Sequence, residues 1–191
     1  MKINILLLIA ISLNSFSQNI QKLEENNGFR GIKLGTEIRN YPSAINAESN
    51  PNIFDLYINN NLYTFNNDVN YVLDISNNNN FESLENAKIL GVYLGVFKGK
   101  IREIMVVTEY HPYTLELLEL AFGKPNGFGK QWSGKNIYCH YNTEYTDKGK
   151  RPNWSWIRFT DKLLDEQFDI EKEEKLKADK ELEQKRAISK F

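Results

Sequence analysis

Ile89-Leu90-Gly91-Val92-Tyr93-Leu94-Gly95-Val96-Phe97, then Lys98-Gly99, then Lys100-Ile101-Arg102-Glu103-Ile104-Met105-Val106-Val107-Thr108 is the stretch that decides the fold class. Two apolar runs flank a two-residue break. Gly99 in that break supplies the positive φ that a two-residue hairpin loop demands. Side chains alternate across a strand, so Val92, Leu94 and Val96 face the core from one arm, and Ile104 and Val106 from the other.

The next stretch is a helix. Pro112 suits a first-turn position, where its missing N–H costs nothing. Leu115, Leu118 and Phe122 recur at helical spacing, Leu117 and Ala121 widen the stripe, and Glu116 and Glu119 face water. Gly123 fits a left-handed cap and Pro125 forbids continuation. Residues 124–135 read as a Gly-rich loop carrying Phe128 and Trp132. A second hairpin follows, Asn136 to Tyr145 and Asn153 to Phe159, joined by a polar, turn-rich connection.

Upstream, Phe54, Leu56 and Ile58 alternate with polar positions, and Leu62–Phe65 and Asn70–Ile75 extend a meander of short strands. Phe29–Thr36 reads as a short strand entering a turn, with Thr36 capping a helical turn that Pro42 ends. Residues 18–27 are polar, either a short helix or a mobile terminus. From Leu163 onward the chain is helical and highly charged, with favourable i,i+4 pairs such as Glu171–Lys175 and Glu181–Lys185. Leu176 and Leu182 sustain no heptad, so a solvated helix is expected rather than a coiled coil. The fold class is α+β: an antiparallel sheet of short strands, one packed helix and a charged C-terminal helix.

Lys2, the apolar run Ile3–Ile11 and the small-residue junction Ser15-Phe16-Ser17 follow the order of a secretory signal peptide. That divides the chain into a signal peptide at 1–17, an α+β domain at 18–162 and the charged helix at 163–191. The run is about half of the ~20 residues needed to span a bilayer. No transmembrane segment is expected after processing, and the localisation is periplasmic or secreted. Cys139 is the sole cysteine, so no internal disulfide is possible. It reads as a small buried hydrophobe on the Ile137/Tyr141 side of its strand.

The 24 basic and 25 acidic residues nearly cancel, which argues against a nucleic-acid binder. No zinc spacing and no cofactor motif is present. His140 and Cys139 point to opposite sides of one strand and cannot form a nucleophile–base pair. His111, ahead of Pro112, marks a helix entry. Glu116 and Glu119 belong to a solvated face. Residues 123–130 have the composition of a phosphate loop but follow a helix, whereas phosphate loops precede one. Asn153-Trp154-Ser155 matches a glycosylation acceptor by pattern alone.

One constellation stands out. Trp132, Tyr138, His140, Trp154, Trp156 and Arg158, with Lys148 and Lys150 beside them, lie in a locally basic segment holding all three tryptophans. Aromatic and arginine side chains anchor binding surfaces. Trp154, Trp156 and Arg158 share a strand face, which Tyr138 and His140 join if Ile157 pairs on the Ile137/Cys139 side. That face is either covered by the C-terminal helix, through Leu164 and Phe168, or open as a site for an anionic or sugar-bearing partner.

Phe29–Thr36, then Phe122-Gly123-Lys124-Pro125 with Trp132, and the closing Phe159-Thr160-Asp161-Lys162-Leu163-Leu164 together resemble small exported proteins of Bacteroidota without an assigned activity. The helix–Gly-x-Pro–hairpin order is similar to the β-lactamase-inhibitor-like fold of small envelope proteins. The resemblance brings no catalytic residues to carry over. The expected function is non-catalytic binding of a protein or envelope polymer. The alternative is a small envelope hydrolase whose site is assembled from scattered polar residues.

Processing is directly measurable. Intact-mass analysis of envelope-fractionated protein is expected to show a chain beginning at Gln18, and full-length protein in the cytoplasm would contradict the export signal.

Overall fold

The computed structural model describes residues 20–46, 69–76, 78–144 and 154–188. The signal segment, the proposed strands at 52–58 and 62–65, and Lys148 and Lys150 lie outside the described residues. Residues 20–26 are helical. Among the described residues ten strands follow: β1 (Gly28–Phe29), β2 (Ile32–Lys33), β3 (Ala44–Asn46), β4 (Tyr71–Leu73), β5 (Ser83–Leu84), β6 (Ala87–Phe97), β7 (Lys100–Glu109), β8 (Gln131–Ser133), β9 (Ile137–Glu144) and β10 (Trp154–Asp161). A central helix, Thr114–Phe122, stands between β7 and β8, and a C-terminal helix, Lys162–Ile188, follows β10. The class is α+β. The main sheet runs β3-β4-β6-β7-β10-β9-β8, antiparallel throughout, with β5 beside β6.

The β6–β7 hairpin forms as its sequence predicts. Lys98 and Gly99 take φ of 49° and 79°, the paired positive values of a two-residue type I′ loop. Lysine in that conformation is uncommon. Its ammonium lies 4.7 Å from the Phe97 ring centre and 2.6 Å from Glu171 of the C-terminal helix. Val92, Leu94, Ile104 and Val106 are buried on one face, with Val96 half-buried beside them. The opposite face is buried too: Tyr93, Met105 and Val107 are at most 2% exposed. Sheet strands covered on both sides lose the clean apolar–polar alternation, which explains the near-continuous apolar runs. Gly91 accommodates the ring of Tyr93, since a β-carbon there would lie 2.8 Å from the ring edge.

The principal core lies on the Val92/Ile104 face. Phe29 meets Phe81 and Phe159, both at 6.1 Å, and Phe122 meets Phe159 at 6.4 Å and Trp132 at 6.3 Å. The central helix supplies Leu118 and Phe122, as its spacing predicts, together with Thr114. It ends at Gly123, with φ of 79°.

Three local expectations need correction, and one open alternative is decided. The 124–135 loop contains strand β8, an edge strand pairing with β9. Of the two readings of the N-terminal segment, the short helix forms, and it is anchored: Leu23 is fully buried, and Glu24 accepts from the backbone and side-chain amides of Asn136. Thr36 caps nothing; its hydroxyl donates to the Lys33 carbonyl at 2.6 Å, and the short turn Ile38–Asn40 has no side-chain cap. β10 continues to Asp161, whose carboxylate accepts from the Leu163 and Leu164 amides and so caps the C-terminal helix. No residue of that helix is buried, in keeping with its charged sequence.

The two faces of the central helix give a matched test. Leu118 is 6% exposed and Leu120 is 75% exposed. Leu118→Ala is expected to cost about 2–5 kcal/mol in chemical denaturation. Leu120→Ala should change stability by no more than about 0.5 kcal/mol. Equal effects would mean the helix does not pack as described.

Candidate functional site

The site is built by the register of β10. Ile157 pairs with Tyr141 and Phe159 with Cys139, while Arg158 pairs with His140 and Trp156 with Asn142. Period-two alternation therefore sends Ile157 and Phe159 into the core. It puts Trp154, Trp156 and Arg158 on the second face with Tyr138 and His140. On the other side, Ser155 pairs with Thr108, and the two buried hydroxyls hydrogen-bond at 2.9 Å. A slip of one residue would separate that pair and exchange the two faces.

Trp132 does not belong to this surface. It is fully buried in the principal core and donates its indole N–H to the Gly123 carbonyl at 2.6 Å. Trp154 and Trp156 are half-buried against the cluster of Val72, Tyr93, Met105 and Val107. The Arg158 guanidinium lies 5.0 Å from the Trp156 ring centre, and the His140 ring meets Trp156 edge-on at 5.1 Å. The C-terminal helix crosses only the neighbouring end of this face. Phe168 packs edge-on against Phe97 at 5.6 Å and beneath the Arg102 guanidinium at 4.2 Å, so the helix roofs the Arg102 end and leaves the indoles half-exposed.

Beside Trp156 opens a polar cleft of about 370 Å³, lined by Tyr138, His140, Arg158 and Thr160 of the sheet and by Asp165 and Asp169 of the C-terminal helix. Arg102 and Glu103 form its inner end, both nearly buried. Sequence reasoning did not single out this pair. A register shift between β6 and β7 opposite Val96 brings these adjacent residues together, and the only sequence signal was two charges inside an apolar strand. Glu103 stands 3.4 Å from Arg102 and 3.2 Å from Arg158, and Arg102 also pairs with Asp165. The Arg158 Nε–H is not aimed at Glu103, so that contact is ionic rather than a directed hydrogen bond.

The cleft collects titratable groups, as a hydrolytic site would. Its inner carboxylates are nevertheless held by guanidinium groups, and among the described residues no hydrogen bond joins a hydroxyl or thiol to the His140 imidazole. Cys139, directly adjacent in sequence, is buried on the other face, where burial pushes its thiol pKa up and keeps it protonated. Burial, followed by the charges of Asp165 and Asp169, holds the Tyr138 phenol above its ordinary value. Among the described residues, no three His, Cys, Asp or Glu side chains converge as a metal site. No helix among them is long and apolar enough to cross a membrane. No protein-family model matches this chain, and neither a curated protein nor a solved structure matches it.

Burial, and secondarily Arg158, lowers the pKa of His140 from its ordinary 6.5. The unfolded chain then binds the proton more readily than the folded one, so stability rises with pH through this window and is lost as pH falls below 6.5. Thermal melting is expected to fall between neutral pH and the lowered pKa, and His140→Gln should remove part of that slope. An unchanged slope in the variant would show that His140 is not desolvated.

Proposed function

We propose that this is an exported, non-catalytic protein that binds an anionic or sugar-bearing component of the cell envelope on the second face of β9 and β10. The observation that carries this reading is the placement of Arg158. Its guanidinium lies against the half-exposed Trp156 indole, next to His140, at the mouth of the polar cleft. Aromatic rings with a polar edge offer large contact area at small entropic cost. A guanidinium recognises carboxylate and phosphate groups through paired N–H donors. A sugar ring placed on the indole would bring its acidic substituent to Arg158, whose Glu103 partner is shared with Arg102. Lys148 and Lys150, in the connection between the two strands, add positive charge in sequence. The signal-like start of the chain supports the location, and the pairing of Glu103 and Asp165 with arginines favours binding over hydrolysis.

Affinity electrophoresis through gels containing an acidic envelope polysaccharide tests the reading. The protein should be retarded, with neutral polysaccharide giving weaker retardation. Trp156→Ala should weaken retardation at least about tenfold, in line with loss of an aromatic anchor, while circular dichroism stays unchanged. Absence of retardation with acidic and neutral polymers alike, or a variant retarded like the parent, would refute the assignment.

A further inference from the structure

The opposite face of the sheet carries a second concavity. The central helix is only nine residues long, and a recess of about 350 Å³ remains between it and the β1–β2 hairpin. Ile157 and Phe159 of β10 lie on the sheet side of this recess, and Leu118 and Ala121 on the helix side. Protein interiors leave few voids larger than a water molecule. Concave, mainly apolar recesses with a few polar groups are the usual form of small-ligand sites, from about 300 Å³ upward.

The polar groups at this recess have one sign. Arg30 and Lys33 border it, and none of the described lining residues is acidic. Arg30 donates to the carbonyls of Asn80 and Ser83, and Lys33 donates to the carbonyl of Asn26. These acceptors hold the two cations in place and are neutral, and among the described residues no carboxylate forms an ion pair with either cation. An occupant that suits the recess has a hydrocarbon body and one anionic end. We propose that the recess binds a medium-chain fatty carboxylate, its tail against Phe159 and Leu118 and its head at Arg30 and Lys33. This site is separated by the thickness of the sheet from the Trp156 surface and does not depend on how that surface is read.

Decanoate below its micellar concentration is the probe, titrated against the isotope-labelled protein and followed by amide chemical shifts. Saturable shifts are expected, concentrated at Arg30, Lys33, Leu118 and Ala121. Decyltrimethylammonium, with the same tail and opposite charge, should bind at least about tenfold more weakly. Arg30→Gln with Lys33→Gln should weaken decanoate by a similar factor and leave decanol unaffected. Ala121→Trp, which fills the recess, should abolish binding with the melting transition retained. Should that variant fail to fold, the surface pair Arg30→Gln/Lys33→Gln still decides the matter. Non-saturable shifts, equal affinity for the cationic amphiphile, or indifference of decanoate to the double variant would each overturn the proposal.

Discussion

The pairing of β10 between β7 and β9 is the constraint on which the rest of the structure depends. This one strand contributes Ile157 and Phe159 to the principal core and Trp154, Trp156 and Arg158 to the opposite face. The buried Ser155–Thr108 hydroxyl pair fixes its register against β7. Leaving either hydroxyl without its partner would incur the cost of an unsatisfied buried polar group. Because side chains alternate strictly along a strand, fixing the register for the core also fixes the composition of the second face.

That second face combines two environments that would be unfavourable if interchanged. Near β4 and β6 it is apolar, with Tyr93, Met105 and Val107 packed together. Toward the start of β7 and the adjoining part of β10 it becomes ionic, with Arg102, Glu103 and Arg158 linked and Asp165 reaching down from the C-terminal helix. Buried charges are tolerated only when paired. The helix therefore docks its first turns where a carboxylate is needed, and Asp161 caps it at the point where β10 ends. Trp156 sits at the boundary between the two environments, with cation and imidazole on one side and the apolar cluster on the other. This explains why its indole is neither buried nor fully exposed.

Local pattern made much of this legible. The Lys98-Gly99 break, the Leu118/Phe122 stripe and the Trp154–Phe159 alternation each lie within a short window, and each forms the element that window implies. Three features escaped for a shared reason. Leu23, Trp132 and Tyr93 are fully buried, a burial that the periodicity of their own short segments does not mark. Trp132 is close in sequence to the other tryptophans, and proximity along the chain does not separate a core aromatic from a surface one. Strand β8 places it on the core side, and the Gly123 carbonyl satisfies its indole N–H. Arg102 and Glu103 are charges within an apolar strand, and nothing in that strand shows their pairing until the bulge and the helix bring their partners.

By itself, the sequence determined the two hairpins, the amphipathic helix, the solvated C-terminal helix and the division of β10 into two chemically distinct sides. These depend on periodicity, turn chemistry and charge, which act over a few residues. Tertiary structure alone decided that the second face is half-covered, that Trp132 is core, that Arg158 shares Glu103 with Arg102, and that a recess edged by Arg30 and Lys33 opens beside the central helix. Those outcomes depend on which distant segments meet, and strand pairing across dozens of residues is set by the packing of the whole sheet rather than by any local run of the chain.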